Sequence, residues 1–89
     1  MRPLMISRPV TQITLGDRLR RARLNAGGGG ITRDQMAANM RVFPRTITRW
    51  EHDHVVPSWA EIHLSATITC VDADWLEEGD RIIDLRRPA

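Results

Sequence analysis

Four residues able to form strong polar contacts recur at helical spacing in segment 45–52. Arg45, Thr48, Arg49 and His52 follow the i, i+3, i+4, i+7 pattern that places side chains on one face of a helix. A guanidinium presents parallel N–H donors that match O6 and N7 of guanine, and a threonine methyl fits the methyl of thymine. The spacing therefore favours contact with base edges through Arg45, Thr48 and Arg49. A solvated face without a partner is the alternative.

The residues before this face predict how it is held. Thr32 and Gln35 match a capping box, which opens one short helix. Pro44 suits the first position of the next helix, because its fixed φ is compatible and its missing N–H would be unpaired there. The inward positions of the two helices are Met36, Ala37, Met40, Ile47 and Trp50. Segment 31–51 therefore predicts two short helices joined by a tight turn, a helix-turn-helix.

A first helix is predicted to begin at Thr14, because Asp17 three residues later favours the positive helix end. Its inward residues are Leu15, Leu19 and Ala22, and its solvated side holds Arg18, Arg20 and Arg21. The four glycines at 27–30 end it in a flexible loop, because they lose too much backbone entropy in a helix. A phosphate-cradling loop would need a following Lys-Ser/Thr pair, whereas Ile31 and Thr32 follow here.

Two further helices are predicted beyond the helix-turn-helix. Ser58 and Glu61 form another capping box, opening a fourth helix through about Thr69. Its inward residues are Trp59, Ile62 and Ala66. Residues 73–78 predict a short fifth helix that stops at Gly79, since glycine commonly follows a helix end.

These elements predict an all-α protein with a single small domain, which is what 89 residues allow. The domain spans 14–80, between an N-terminal arm at 1–13 and a C-terminal tail at 81–89. Arg2 and Arg8 of the arm could reach a minor groove or the DNA backbone. An unstructured terminus, or an arm packed on a partner subunit through its apolar residues, remains equally open.

The formal net charge of +2 conceals a segregation of charge. Residues 1–50 carry ten arginines against Asp17 and Asp34, whereas residues 51–89 carry nine acidic residues against three arginines. A basic face attracts a polyanion, while an acidic remainder limits indiscriminate binding. Double-stranded DNA is therefore the expected partner.

Catalytic and metal sites are not favoured by the remaining polar residues. His52 and His54 stand at i, i+2 but lack the further ligands that zinc normally needs. Glu77, Glu78 and Asp80 could resemble a catalytic carboxylate pair, but nothing supplies a nucleophile or cofactor. We expect no enzyme activity, no metal and no cofactor.

The single cysteine and the tryptophans are predicted to be structural. A lone Cys70 excludes an internal disulfide, and it falls at an expected core position, so we predict a buried small hydrophobe. Trp50, Trp59 and Trp75 are predicted to be core or interface anchors; stacking on nucleic acid would require them to be exposed together.

Several separated motifs carry a resemblance to a known family. They are Leu15-Gly16-Asp17-Arg18-Leu19, Met36-Ala37, Ile47-Thr48-Arg49-Trp50-Glu51, Pro57-Ser58 and Asp74-Trp75-Leu76-Glu77-Glu78-Gly79. In this order the chain resembles the phage repressor and Cro family of helix-turn-helix proteins, over about residues 15–80. The resemblance implies a compact five-helix lambda-repressor-like domain whose third helix enters the major groove while the second lies across the backbone. It also implies that Arg23 and Glu51 form a pair that orients the third helix.

Contacts to the DNA backbone are expected from residues flanking the reading face. Thr32 and Arg33 lie at the start of the second helix, where backbone N–H groups and the helix dipole favour phosphate. Thr46 and His52 of the third helix are assigned the same role. Such contacts fix register without choosing sequence.

Some residues depart from the pattern of that family. Arg41 and Asp53 stand where glycine is common, so Arg41 is expected to hold a positive φ. Phe43 stands where a serine or threonine would cap the third helix. His63 and Thr69 replace apolar residues of the fourth helix.

We therefore expect a sequence-specific DNA-binding transcription regulator, a phage-type repressor or Cro protein that occupies an operator. One reading helix contacts only a few base pairs, so a homodimer on two half-sites is expected. The alternative is an antitoxin-like module that holds a protein partner and binds DNA to regulate its own synthesis. No apolar run is long enough to span a bilayer, and we expect a cytoplasmic protein of a bacterial host cell without a membrane partner.

Overall fold

Five α-helices and one 3₁₀ turn make up the regular structure of residues 13–79, the part of the chain that this computed structural model describes. They are α1 (Leu15–Asn25), the 3₁₀ turn (Ala26–Gly28), α2 (Arg33–Met40), α3 (Pro44–Glu51), α4 (Trp59–Thr69) and α5 (Ala73–Glu78). No strand occurs within these residues, so the predicted all-α class is confirmed. Apart from Ile13, the predicted arm and tail lie outside the described residues.

The helix starts follow from local capping chemistry. Thr14, Thr32 and Ser58 each close a complete capping box with the acidic or amide residue three positions later. This confirms the capping boxes predicted at Thr32 and Ser58 and the helix start predicted at Thr14. Asp72 caps α5 by accepting a hydrogen bond from the backbone N–H of Asp74. α3 differs, because Phe43 occupies its N-cap and makes no side-chain hydrogen bond there.

Two helices end on a non-glycine residue in the left-handed conformation. Arg41 ends α2 with φ of 62°, as predicted, and Cys70 ends α4 with φ of 60°. The prediction that Cys70 is buried is wrong, since its side chain is exposed. The residue closes the last turn of α4 through its backbone N–H, which donates to Ala66 and Thr67. It is therefore a helix-ending residue and not part of the core.

One apolar cluster joins all five helices. Its buried members are Leu19, Ala22, Met36, Ala37, Met40, Ile47, Trp50, Ile62, Ala66 and Leu76. The helices pack so that α3 contacts α1 and α2, while α4 contacts α1, α2 and α5. The apolar stripe of α3 is therefore fixed by two other helices, which leaves its opposite face outward. Within residues 13–79, no helix has the length and apolar character needed to cross a bilayer.

Trp59 corrects the prediction for α4. It was expected to face inward, but it is 65% exposed and stacks on the ring of His63, with ring centroids 3.9 Å apart. The buried face of α4 runs instead through Ile62, Ser65, Ala66 and Thr69. Trp59 lies on the first turn at the margin of this face, where helical spacing alone does not decide burial.

Arg18 corrects the prediction for α1. It was expected on the solvated side, but only 8% of its surface is exposed. Its Nε donates to the carbonyl of Leu76 (2.8 Å), its Nη2 to Glu77 (3.0 Å) and its Nη1 to Ile13 (3.1 Å). The guanidinium thus satisfies carbonyls at the C-terminal end of α5, where a positive charge also complements the helix dipole.

Candidate nucleic-acid interface

A turn of three residues joins α2 to α3 and sets the angle between them. Arg41 takes the left-handed conformation, and the backbone N–H of Val42 donates to the carbonyl of Ala37 at 3.0 Å. Phe43 is extended, and Pro44 then begins α3. Val42 packs against the core, which keeps the turn close to the two helices. The result is a rigid corner that presents the N-terminal end of α3 outward.

The outer face of α3 carries the residues that the sequence singled out for base contact. Arg45, Arg49 and His52 are exposed and Thr48 is half-buried, whereas the opposite face is buried through Ile47, Trp50 and Glu51. The Thr48 hydroxyl donates to the carbonyl of Pro44 at 3.3 Å, which turns its hydrogen-bonding capacity toward the helix. Its methyl group is therefore the part best suited to contact a ligand.

The two arginines of this face have no acidic partner among the residues that the structure describes. Within residues 13–79, neither Arg45 nor Arg49 forms an ion pair or a side-chain hydrogen bond. Their guanidinium groups are therefore hydrated and keep their donors for an external acceptor.

His52 ends the face with a defined tautomer. Its Nδ1 lies 3.0 Å from the carbonyl oxygen of Thr48. Because a carbonyl oxygen only accepts hydrogen bonds, Nδ1 must carry the hydrogen. Nε2 is then an acceptor in the neutral ring and a donor in the protonated ring, and only the protonated ring donates to a phosphate from Nε2.

A buried ion pair fixes α3 against α1. Arg23 of α1 binds Glu51 through two parallel contacts, Nε to Oε2 at 2.6 Å and Nη2 to Oε1 at 3.1 Å. The two side chains are 7% and 2% exposed. Arg23 also donates to the carbonyl of Ile31 at 3.0 Å. This geometry holds the last turn of α3 and the loop before α2 at one point.

Arg33 extends the pair into a triad. Its Nε lies 3.1 Å from Glu51 Oε1, and its side chain is 38% exposed. Glu51 therefore joins α1, α2 and α3. Nε of Arg33 is engaged by this contact, so an external anion would meet its terminal Nη groups.

The other residues predicted to contact the DNA backbone lie at two helix starts. Thr32 is exposed, but its hydroxyl accepts from Gln35 and its backbone N–H donates to the Gln35 side chain. Thr46 is half-buried in the first turn of α3. Thr32 thus shapes the start of α2, while the remaining N–H groups of that first turn face outward as donors.

Asp53 is a structural residue that sequence reasoning missed. It adopts a φ of 61° and accepts hydrogen bonds from the Thr14 hydroxyl (2.6 Å) and the Gly16 backbone N–H (2.9 Å). A Cβ on Gly16 would lie 2.5 Å from the carbonyl oxygen of Glu51. The end of α3 therefore docks on the start of α1 at a point where only glycine fits. The pairing spans 37 residues, so no local pattern signals it.

The acidic and imidazole groups considered for other chemistry do not converge. In the described part of the chain, His, Cys, Asp and Glu side chains nowhere form a group of three that could hold a metal ion. His52 and His54 lie with ring centroids 5.9 Å apart. Glu77 lies 3.6 Å from His63 Nε2 instead of beside a nucleophile.

A buried stripe on α3, a tight α2–α3 turn and an exposed arginine face define a DNA-binding domain of the helix-turn-helix class. Residues 14–79 match the family model described as "Helix-turn-helix domain", and the chain belongs to this family. Neither the curated proteins nor the solved structures with which the chain was compared gave a significant match.

Proposed function

We propose that the protein is a sequence-specific transcription regulator that occupies an operator in double-stranded DNA, as a repressor of the phage repressor/Cro type. The observation that carries the proposal is the pair of exposed guanidinium groups of Arg45 and Arg49 on the outer face of α3, neither of which has a side-chain partner within residues 13–79. Arginines that only face solvent do not need a precisely positioned helix. α3 is positioned precisely, because its inner face is held by the core and by the ion pair of Glu51. Such preorganisation is what directional hydrogen bonding to bases requires.

Recognition then divides between bases and backbone. Arg45 and Arg49 donate bidentate hydrogen bonds to guanines, and the Thr48 methyl contacts a thymine methyl. Thr32, Arg33, Thr46 and His52 contact phosphates and set the register of α3 in the groove. Arg23 and Glu51 touch no DNA in this scheme; they orient the reading helix.

Binding as a homodimer follows from the small size of one reading helix. A single α3 covers only a few base pairs, so two copies on half-sites about one helical turn apart, or a multiple of it, supply the specificity. Repression then needs no catalysis, since occupancy of the operator excludes other proteins from it.

The test begins with selection from random duplex DNA, followed by binding to the selected duplex across a range of salt concentrations. We expect a motif with two related halves that contain guanines. Arg45→Ala and Arg49→Ala should each weaken binding to it by about 1–3 kcal/mol and relax the preference at one base position. Arg20→Ala, which removes an exposed arginine of α1, is the matched control for loss of charge. An unchanged motif in both α3 variants would show that α3 is not the reading helix.

An antitoxin-like module with a protein partner is the second candidate function. It is supported by the exposed apolar side chains of Val56 (75%) and Trp59 (65%), which lie together in sequence without a charge between them. Apolar surface of this kind is common at protein interfaces. Sedimentation of the purified protein at rising concentration distinguishes the two: reversible dimerisation supports the regulator, whereas soluble high-mass aggregates relieved by a co-expressed partner support the module.

A further inference from the structure

Phe43 is a large apolar residue that the proposed contacts leave unused. It is the N-cap of α3, is 77% exposed, and does not belong to the apolar cluster or to the residues packed on it. Its exposed fraction exceeds those of Val56 and Trp59, the next most exposed large apolar residues within 13–79. The side chain therefore contributes little to the stability of the fold.

The residue also forgoes a stabilising interaction. The other four helices begin at a residue whose side chain accepts a hydrogen bond from the first turn, and Phe43 provides none. Serine, threonine, aspartate and asparagine are the preferred N-caps because they satisfy an otherwise unpaired N–H. A residue that neither caps nor packs breaks the local rules of folding, and such exceptions are expected where function needs them.

The position of Phe43 suggests what that function is. In helix-turn-helix proteins the N-terminal residues of the reading helix contact base edges. Here that end consists of Phe43 followed by the exposed Pro44, which has no N–H to donate. Arg41 and Arg45 lie on either side and are also exposed. The leading end of α3 is thus an apolar tip between two cations.

The edges of bases in the major groove offer one apolar group. Thymine carries it as the C5-methyl, and the other groups there are hydrogen-bond donors or acceptors. A cytosine methylated at C5 presents the same methyl at the same place. An apolar ring that enters the groove gains the most free energy by burying this methyl, because it is the largest apolar group on the base edges.

We propose that Phe43 forms a binding site for the C5-methyl group of a pyrimidine and thereby determines one position of the recognised sequence. The inference rests on the proposed function, since it requires α3 to lie in the major groove. Arg41 and Arg45 stand two residues before and after Phe43 in the sequence, and contacts from them to phosphate or guanine would place the ring against the neighbouring pyrimidine. Thymine and 5-methylcytosine are the two sources of the methyl group.

The test uses the full chain and the duplex obtained by selection. Each thymine is replaced in turn by deoxyuridine, which removes only the methyl, and each cytosine by 5-methylcytosine, which adds it. Affinities are measured for the unmodified protein and for Phe43→Ser. The serine restores a capping side chain, so this variant should be at least as resistant to thermal unfolding. Leu24→Ser removes an exposed apolar residue of α1 and serves as the matched control.

In addition to the thymine assigned to Thr48, we expect one thymine at which deoxyuridine weakens binding about fourfold, the change expected for one buried methyl group. Phe43→Ser should abolish this difference, and Leu24→Ser should retain it. If methylation of a cytosine instead strengthens binding by a similar factor, only with Phe43 present, 5-methylcytosine is the ligand.

The inference would be overturned if every thymine that is sensitive to loss of its methyl group in the unmodified protein were equally sensitive in Phe43→Ser. Insensitivity at every position would overturn it as well. The proposed function would still stand in that case, provided that Arg45→Ala and Arg49→Ala weaken binding to the selected motif. If no motif is enriched, the proposed function fails and the inference fails with it.

Discussion

Removal of the Glu51 carboxylate should strongly destabilise the fold. The side chain is 2% exposed and is the shared partner of Arg23, which is 7% exposed, and of Arg33. Glu51→Ala leaves the Arg23 guanidinium buried beside a cavity, with only the carbonyl of Ile31 as a hydrogen-bond partner from that site. Breaking a buried ion pair by removing one partner costs about 3–5 kcal/mol, because the other charge stays uncompensated.

This cost is a large share of the available stability. Domains have roughly 0.05–0.15 kcal/mol of stability per residue, which for a chain of this size is on the order of 4–13 kcal/mol. A loss of 1 kcal/mol lowers the melting temperature of so small a domain by about 4–8 °C. Glu51→Ala should therefore lower the melting temperature by at least about 12 °C. If the cost is near about 5 kcal/mol and the domain is of low stability, the variant is largely unfolded at 25 °C.

Urea unfolding followed by circular dichroism at 222 nm measures the effect. Glu78→Ala removes an exposed carboxylate of α5 and should change the free energy of unfolding by less than about 0.5 kcal/mol. The double change Arg23→Met with Glu51→Leu should recover most of the loss, because apolar side chains of similar volume often replace buried ion pairs at little cost. A loss below about 1 kcal/mol for Glu51→Ala would refute the description of a buried, uncompensated Arg23.

Two further changes test the backbone of the fold. Cys70→Gly should raise the free energy of unfolding by about 0.5–1 kcal/mol, because a left-handed φ of 60° costs a cysteine more than a glycine. An unchanged urea midpoint would count against this strain. Gly16→Ala should lower the free energy of unfolding by about 1–3 kcal/mol or more, because the new Cβ would lie 2.5 Å from the Glu51 carbonyl oxygen and force α1 away from α3. Full stability in the same assay would contradict that close contact.

The sequence predicted the parts of the fold that depend on neighbouring residues. The helix start predicted at Thr14 and the capping boxes predicted at Thr32 and Ser58 each involve residues three positions apart, and all three are present. The positive φ of Arg41 and the start of α3 at Pro44 are likewise local, and both are confirmed. Helical periodicity also identified the buried stripes of α2 and α3, because each stripe is continuous on its own helix.

The residues that were predicted wrongly or missed have surroundings that a helical repeat does not show. Arg18 is buried because α5 brings two carbonyl partners, Leu76 and Glu77, within reach, and a polar residue type says nothing about that. Cys70 is exposed because it ends a helix instead of continuing one. Asp53 was missed because it accepts a hydrogen bond from the hydroxyl of Thr14, which lies 39 positions away in the sequence.

In the candidate site, too, local features were predictable from the sequence and contacts between helices were not. Helical spacing alone correctly grouped Arg45 and Arg49 on an outward face. The contact of Arg33 with Glu51 depends on how α2 packs on α3, so no pattern in the sequence indicates it. The roles of these side chains toward DNA stay predictions until binding is measured.

The central claim is that α3 reads a specific DNA sequence through Arg45 and Arg49. The most direct measurement is the ratio of affinities for the selected duplex and for a scrambled duplex of equal length at fixed salt, compared between the unmodified protein and the double variant Arg45→Ala, Arg49→Ala. We predict a ratio of at least about 10³ for the unmodified protein, which falls at least tenfold in the variant. A ratio near one in the unmodified protein, or an undiminished ratio in the variant, would contradict the claim.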